Sequence, residues 1–143
     1  MHAIQFPSYD YNIQLQEGKE YIFDPVRKKW VRLTPEEWVR QNMLQYLLQV
    51  KKYPATLLAV EKEIQLGELR KRCDIVVYKE GQPWMIIECK EMGVPLSEQV
   101  LMQIVRYNMA FSCTYLIITN GSYTCGWQVE GGEVKELTEM PEW

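Results

Sequence analysis

Three strand-like segments follow one another with only short turns between residues 57 and 90 of this 143-residue chain. The first runs from Leu57 to Leu66, the second from Arg70 to Tyr78 and the third from Pro83 to Lys90. Connections this short cannot hold a crossover, so consecutive strands must be antiparallel neighbours. The pattern therefore predicts an antiparallel meander at the start of the main sheet.

A predicted helix and a strongly apolar strand follow this meander. Ser97 is a suitable N-cap, and the helix should extend to Ser112. The segment from Thr114 to Thr119 is apolar almost throughout, which is typical of a strand covered on both faces. Because the helix forms a crossover, this fourth strand should lie parallel to its neighbour in the sheet.

Further strand signals end the chain. Asn120-Gly121 turns it towards a strand from Tyr123 to Val129, and Glu130-Gly131-Gly132 precedes a last short strand. The predicted fold class is α/β, used here to include α+β folds. We expect a mixed β-sheet flanked by helices.

A first helix is predicted ahead of the meander. Thr34-Pro35-Glu36-Glu37 offers an N-cap, a proline at the first helical position and an acid at Glu37, where a capping box has one. The helix should end at about Val50 or Lys52.

An apolar stripe runs along this helix through Val39, Met43 and Leu47. Extended backwards at the same period, the stripe reaches Glu36, so an acid is predicted on the core-facing side of the first turn. That placement is unusual, because a buried acid needs a partner or a metal.

The N-terminal part has weaker signals. Residues 1–18 are rich in Gln and Tyr and are predicted to form a loosely docked arm, with residues 19–143 as a single domain. Tyr21–Asp24 and Trp30–Leu33 flank Pro25–Lys29, which suggests a small hairpin with a basic tip.

Composition excludes several classes of protein. Apolar residues make up 47% and charged residues 24%, as in globular proteins, and no apolar run is long enough to span a membrane. The N-terminus lacks the pattern of a signal peptide, so a cytoplasmic location without a membrane partner is expected.

A net charge of −3 argues against a surface that is basic throughout. The four cysteines lack C-x-x-C spacing and are predicted to be reduced core residues.

Charged residues close two of the apolar strands. Glu88 and Lys90 end the third strand and share one face, because side chains alternate along a strand. Asp74 lies on the second strand, and the expected turn brings it into the neighbourhood of Glu88. Two carboxylates held close together repel each other, and a hard cation such as Mg²⁺ relieves that repulsion. Lys90 could orient water or stabilise charge on a phosphate, so the group suits phosphodiester hydrolysis.

Asp74 followed by Glu88-Cys89-Lys90 resembles the core motif of the PD-(D/E)xK nuclease superfamily. Cys73 stands where the motif has proline. The chain looks closest to the N-terminal nuclease domain of type I restriction enzyme R subunits. The resemblance covers roughly Lys19 to Val129, through Thr34–Gln41, Arg72–Tyr78, Glu88–Lys90, Gln103–Tyr107 and Thr119–Gly121.

The resemblance implies roles for further residues. Gln103 and Tyr107 match a Q-x-x-x-Y motif, which the family has in the second helix beside the active site, and the spacing of four puts both on one helical face. The family also has an acid in its first helix, which maps to Glu36 or Glu37. Glu36 is favoured here, because Glu37 already has an explanation as the capping acid.

Two functions are compatible with these features. The first is a stand-alone nuclease that cleaves DNA with Mg²⁺ or Mn²⁺, in which Asp74 and Glu88, with Glu36, hold the metal. The second is a non-catalytic DNA-binding or assembly module that keeps the nuclease fold. The expected partners are DNA and either a second copy of the chain or a separate restriction or motor subunit. The candidate phosphate contacts are Arg40, Arg72 and Arg106.

Overall fold

A six-stranded mixed sheet forms the centre of the protein in a computed structural model that describes residues 4–143. Its strands lie side by side in chain order, and they are β4 (Leu58–Leu66), β5 (Leu69–Lys79), β6 (Gln82–Cys89), β7 (Tyr115–Thr119), β8 (Thr124–Glu130) and β9 (Glu133–Glu136). Only β6 and β7 pair in parallel, since a helix connects them, and the other neighbours are antiparallel. The predicted mixed sheet is confirmed.

A separate three-stranded antiparallel sheet precedes the first helix. It consists of β1 (Ile13–Gln16), β2 (Lys19–Asp24) and β3 (Lys29–Arg32). The predicted hairpin is the β2–β3 part of this sheet. The last residues of the predicted arm are a strand that pairs with β2, and Ile4 and Phe6 pack against the core. The start of the arm, Met1 to Ala3, lies outside the described residues.

Two α-helices begin where the sequence indicates. Helix α1 spans Pro35–Gln45, and Thr34 caps it by accepting a hydrogen bond from the Glu37 backbone N–H at 3.0 Å. A π-helical turn, Tyr46–Val50, extends α1 to the predicted end. Helix α2 spans Glu98–Met109 and ends earlier than the predicted Ser112.

The two helices pack on opposite faces of the central sheet. Val39 and Met43 of α1 share a core with Ile87, whereas Leu101 of α2 shares a second core with Ile86. Since Ile86 and Ile87 are consecutive, their side chains point to opposite faces. The result is a helix–sheet–helix sandwich, in which the central strands are apolar on both sides.

All four cysteines are free and buried, as predicted. No helix within residues 4–143 is both long enough and apolar enough to cross a membrane.

Gly126 on β8 tests how tightly this sheet packs against its surroundings. A Cβ atom at Gly126 would lie 2.8 Å from Ile117 Cδ1 and 3.0 Å from Leu137 Cδ1. We therefore expect Gly126→Val to lower the free energy of unfolding by about 1–3 kcal/mol, measured by urea denaturation.

Gly93 provides the matched control, because the nearest atom to its added Cβ, Glu91 Oε1, is 3.5 Å away. Gly93→Val should change the stability by no more than about 0.5 kcal/mol. Equal losses in the two variants would contradict tight packing at Gly126.

Candidate active site

Asp74 and Glu88 lie on neighbouring strands at one end of the central sheet. The paired residues of β5 and β6 end at Ile75 and Ile87, so the two acids lie just beyond the last pair. Both acids are buried, with 9% of Asp74 and 8% of Glu88 exposed. Burial raises the pKa of Glu88, and so do the charge and a hydrogen bond of Asp74. The two acids therefore lie on adjacent strands, next to the last pair of β5 and β6.

The Asp74 carboxylate accepts hydrogen bonds from two parts of the chain. Its Oδ1 accepts from the guanidinium of Arg40 on α1 at 2.7 Å, and its Oδ2 accepts from the backbone N–H of Cys89 at 2.8 Å. This carboxylate thereby connects α1 with β5 and β6.

An irregularity in the sheet accompanies Asp74. In a regular strand Cys73 and Ile75 would face the same side, but Cys73 packs in the core beneath α2 and Ile75 in the core beneath α1. On the adjacent strand β4, Glu61 has a left-handed backbone with φ of 53°. Val60 pairs with Ile75 and Lys62 pairs with Cys73, so Glu61 and Asp74 lie between two regular pairs of β4 and β5. Asp74 thus departs from the regular alternation and reaches Arg40 on the α1 side.

Glu88 has a different set of neighbours. Its Oε1 contacts the ammonium of Lys71 on β5, without the geometry of a hydrogen bond. Lys71 also donates to Asn108 Oδ1 of α2 at 2.5 Å, and its ammonium lies 5.2 Å from the centroid of the Tyr107 ring. Lys71 therefore neutralises Glu88 on the α2 side of the sheet.

An open cleft of about 310 Å³ lies between Glu88 and α2. It is lined by Glu88 and Lys90 from the strand end and by Gln103 and Tyr107 from the helix. Tyr107 is 55% exposed, so its ring is accessible from solvent. Four of the sequence-predicted site residues thus line one cleft.

The two acids of the first helical turn have exchanged their expected positions. Glu37 is buried and Glu36 is exposed, so the prediction that Glu36 faces the core is wrong. The Glu37 carboxylate accepts from Arg27 at 2.8 Å, from Arg40 at 2.6 Å and from Gln41 at 3.1 Å. The Glu37 carboxylate makes these contacts in place of the expected capping contact.

Glu36 nevertheless lies beside the paired acids. Partial burial raises its pKa, and so does the charge of Asp74, whereas the charges of Arg40 and Lys90 lower it. Its carboxylate is 3.8 Å from Arg40 Nη2 and has no closer ion pair among residues 4–143. Of the two helix acids, Glu36 is therefore the one that remains available to a ligand.

The three arginines predicted to contact DNA differ in accessibility. Arg40 is only 6% exposed, and its guanidinium binds the carboxylates of Glu37, Glu61 and Asp74. Burial lowers the pKa of Arg40, but the hydrogen bond to Asp74 and the surrounding acids outweigh this and raise it. Arg40 is therefore not free to bind a phosphate, which corrects that prediction. Arg72 and Arg106 are exposed, so the prediction remains open for them.

The ion pairs around Arg40 contain more acids than bases. Five carboxylates and three guanidinium groups are connected by contacts of 3.8 Å or less, namely Asp24, Glu36, Glu37, Glu61, Asp74, Arg27, Arg40 and Arg72. When all of them are ionised, the network carries an excess of two negative charges. Lys90 reduces this excess but does not cancel it.

The residues present fit a hard divalent cation. Asp74 and Glu88 are oxygen donors, and Mg²⁺ is usually held by one or two carboxylates while waters or phosphates complete its shell. No group of three or more acidic, cysteine or histidine side chains with metal-binding spacing is present in residues 4–143. The protein would therefore supply only part of the coordination shell.

For three residues near the site, no role was predicted from the sequence. Lys71 belongs to the basic run Arg70-Lys71-Arg72, and it pairs with Glu88. Glu61 and Asn108 bind Arg40 and Lys71. Glu61 opens the charged run Glu61-Lys62-Glu63, so nothing in the sequence distinguishes it from its charged neighbours.

The raised pKa of Glu88 makes a prediction about stability. The folded state holds a proton on Glu88 more tightly than the unfolded chain, whose glutamates titrate near about 4.3. This contribution to stability is present below the pKa of Glu88 in the unfolded state. It is lost as the pH rises through the pKa of Glu88 in the folded state. In EDTA, the stability of Glu88→Gln relative to the wild type should therefore increase from pH 4 to pH 7. The increase should be about 1.4 kcal/mol per unit of pKa difference, measured by denaturant unfolding.

Glu68→Gln, in the exposed turn between β4 and β5, is the matched control and should show a flat difference. A flat difference for Glu88→Gln as well would contradict the raised pKa.

Comparison with known proteins agrees with the resemblance deduced from the motifs. The family model described as Type I restriction enzyme R protein N terminus (HSDR_N) matches residues 35–141. The match begins at α1 and includes the whole central sheet and α2. Neither the curated proteins nor the solved structures gave a significant match. The chain therefore belongs to the type I restriction enzyme R protein N terminus family.

Proposed function

We propose that this chain is a metal-dependent nuclease domain that hydrolyses phosphodiester bonds of DNA. The observation that carries the proposal is the pair of buried acids, Asp74 and Glu88, just beyond the last pair of β5 and β6, with Lys90 beside Glu88 in the open cleft. Membership in the restriction enzyme family supports DNA as the substrate.

Asp74 and Glu88 are the residues that would hold Mg²⁺ or Mn²⁺, and Glu36, the helix acid next to Asp74, would contact the ion or a water bound to it. The bound cation would neutralise charge on the scissile phosphate and lower the pKa of an attacking water. The excess of negative charge in the ion-pair network supports binding of a cation next to these acids.

Lys90 is the group proposed to act on the reacting atoms. It follows Glu88 by two residues at the end of β6 and lines the open cleft, where a phosphate would have access. Its ammonium can orient the attacking water and stabilise the negative charge that develops on the phosphate. Its backbone N–H donates to the Thr119 carbonyl at 2.8 Å, which fixes the start of the side chain relative to β7.

Gln103 and Tyr107 complete the cleft from the helix side. An amide and a phenol can both donate and accept hydrogen bonds, so these residues suit the positioning of a phosphate or of Lys90. The exposed Arg72 and Arg106 are the proposed contacts to the DNA backbone. A second copy of the chain, or a separate motor subunit, would provide the rest of the DNA-binding surface.

Cleavage of supercoiled plasmid and of single-stranded DNA, each with Mn²⁺, Mg²⁺ or EDTA, tests this function. Lys90→Ala should remain folded and reduce cleavage about 10²-fold or more, the usual effect of losing a positioned acid–base or electrostatic group. The control is Lys135→Ala, which removes an exposed lysine from β9 and should leave the rate unchanged. Equal rates for wild type and Lys90→Ala would show that Lys90 does not catalyse the reaction.

The second candidate function is a non-catalytic DNA-binding or assembly module. It is favoured by one observation: each of the two carboxylates already has a cation of the protein as a partner, Arg40 for Asp74 and Lys71 for Glu88. Both cations reduce the negative charge that would attract an added metal.

Calorimetric titration with Mg²⁺ and Mn²⁺ separates the two functions. The nuclease requires saturable binding that is lost in Asp74→Asn and retained in Glu133→Gln, an exposed acid on β9. DNA binding without any metal binding would favour the module.

A further inference from the structure

The guanidinium of Arg40 lies among three carboxylates in the interior. Its Nη1 donates to Glu37 Oε1 at 2.6 Å, and its Nη2 donates to Glu61 Oε1 at 2.6 Å and to Asp74 Oδ1 at 2.7 Å. Arg40 thereby connects the first helix to Asp74. We propose that Arg40 is a positioning residue, which holds the Asp74 carboxylate in the orientation that binds the divalent cation. This inference rests on the proposed function.

The contacts of Asp74 define its orientation. Arg40 holds one oxygen and the backbone N–H of Cys89 holds the other, so rotation about the last side-chain bond would break at least one of them. Each carboxylate oxygen can accept more than one hydrogen bond, so the remaining lone pairs stay available to a cation. Two donors from different elements therefore fix the carboxylate without saturating it.

Arg40 is itself fixed by acids that do not face the cleft. Glu37 is bound by Arg27 at 2.8 Å and by Gln41 at 3.1 Å, and Arg27 in turn binds Asp24 of the small sheet at 2.5 Å. Glu61 holds the second nitrogen of Arg40 from the irregular point of β4. Glu37 of α1 and Glu61 of β4 therefore hold Arg40 beside Asp74, and Arg27 has no direct contact with Arg40 or Asp74 among residues 4–143.

The geometry of arginine is essential to this arrangement. A guanidinium presents its donors in a rigid planar fork, whereas the ammonium of lysine is a single point at the end of a flexible chain. A lysine at this position keeps the charge but cannot hold Glu37 and Asp74 from two different nitrogens. Arg40→Lys thus removes the positioning while it preserves the charge balance.

Magnesium binding of the folded protein, measured by titration calorimetry without DNA, tests the proposal. Arg40→Lys should bind Mg²⁺ about 10–100-fold more weakly than wild type, the usual effect of losing a group that orients a metal ligand. The matched control is Arg27→Lys, since Arg27 binds Glu37 in the same network but does not touch Asp74. That variant should lose stability and keep the wild-type affinity for Mg²⁺.

Arg40→Gln provides a second and sharper test. Removing a positive charge next to ionised carboxylates would by itself strengthen the binding of a cation, so weaker binding at a pH at which the carboxylates are ionised indicates lost orientation. Circular dichroism and urea unfolding establish that each variant is folded. If neither Arg40 variant folds, Arg40 serves stability and the positioning role is overturned.

The outcomes separate this inference from the proposed function. Saturable Mg²⁺ binding by wild type that is unchanged or tighter in the Arg40 variants overturns the role of Arg40 and leaves the nuclease proposal intact. Absence of Mg²⁺ and Mn²⁺ binding in wild type overturns both. Equal weakening in Arg27→Lys and Arg40→Lys would show a general effect of the ion-pair network and not a specific effect on Asp74.

Discussion

The ion pair between Arg40 and Asp74 connects the parts of the chain that form the candidate site. Arg40 comes from α1 and Asp74 from β5, and the backbone of β6 holds the other oxygen of Asp74. An unpaired ion costs several kcal/mol in a protein interior, so each of these charges requires the other to be buried. The position of α1 over the sheet and the local irregularity of β4 and β5 both serve this contact. Glu88, Glu36 and Lys90 then lie near Asp74 because their elements pack around it.

The crossover between β6 and β7 explains why the cleft lies at this end of the sheet. Parallel pairing of these strands requires the chain to return over one face, and α2 does so with its core residues beneath it. The connection from Lys90 to Ser97 is short, so the first turns of α2 stay near the end of β6. Gln103 and Tyr107 thereby face Glu88 and Lys90 across the cleft. Local chain geometry thus brings together a helix motif and a strand motif that are more than ten residues apart.

The two acids at the start of α1 show where sequence reasoning fails. The apolar period pointed to Glu36 as the buried acid, because it treated the helix as packed against one apolar surface. The helix also contacts the small sheet, whose Arg27 reaches Glu37, and this ion pair allows the acid next to Glu36 to be buried instead. Similarly, Arg40 was predicted to contact phosphate and Lys71 had no predicted role, since the sequence does not reveal which basic side chain has a buried acid opposite it.

The sequence alone determined the mixed sheet, the two helices, the free cysteines and the family. Short turns force antiparallel neighbours, a helical crossover forces a parallel pair, and the capping residues mark the helix starts; all of these are local effects. It also identified the acids, the lysine and the helix motif that line the site, because their spacing follows strand and helix periods. Only the tertiary structure decided which cation accompanies each acid, which helix acid is buried and which arginine is inaccessible. Those outcomes depend on contacts between residues distant in the chain, such as Arg40 with Asp74 and Arg27 with Glu37, where burial makes every charge depend on its partner.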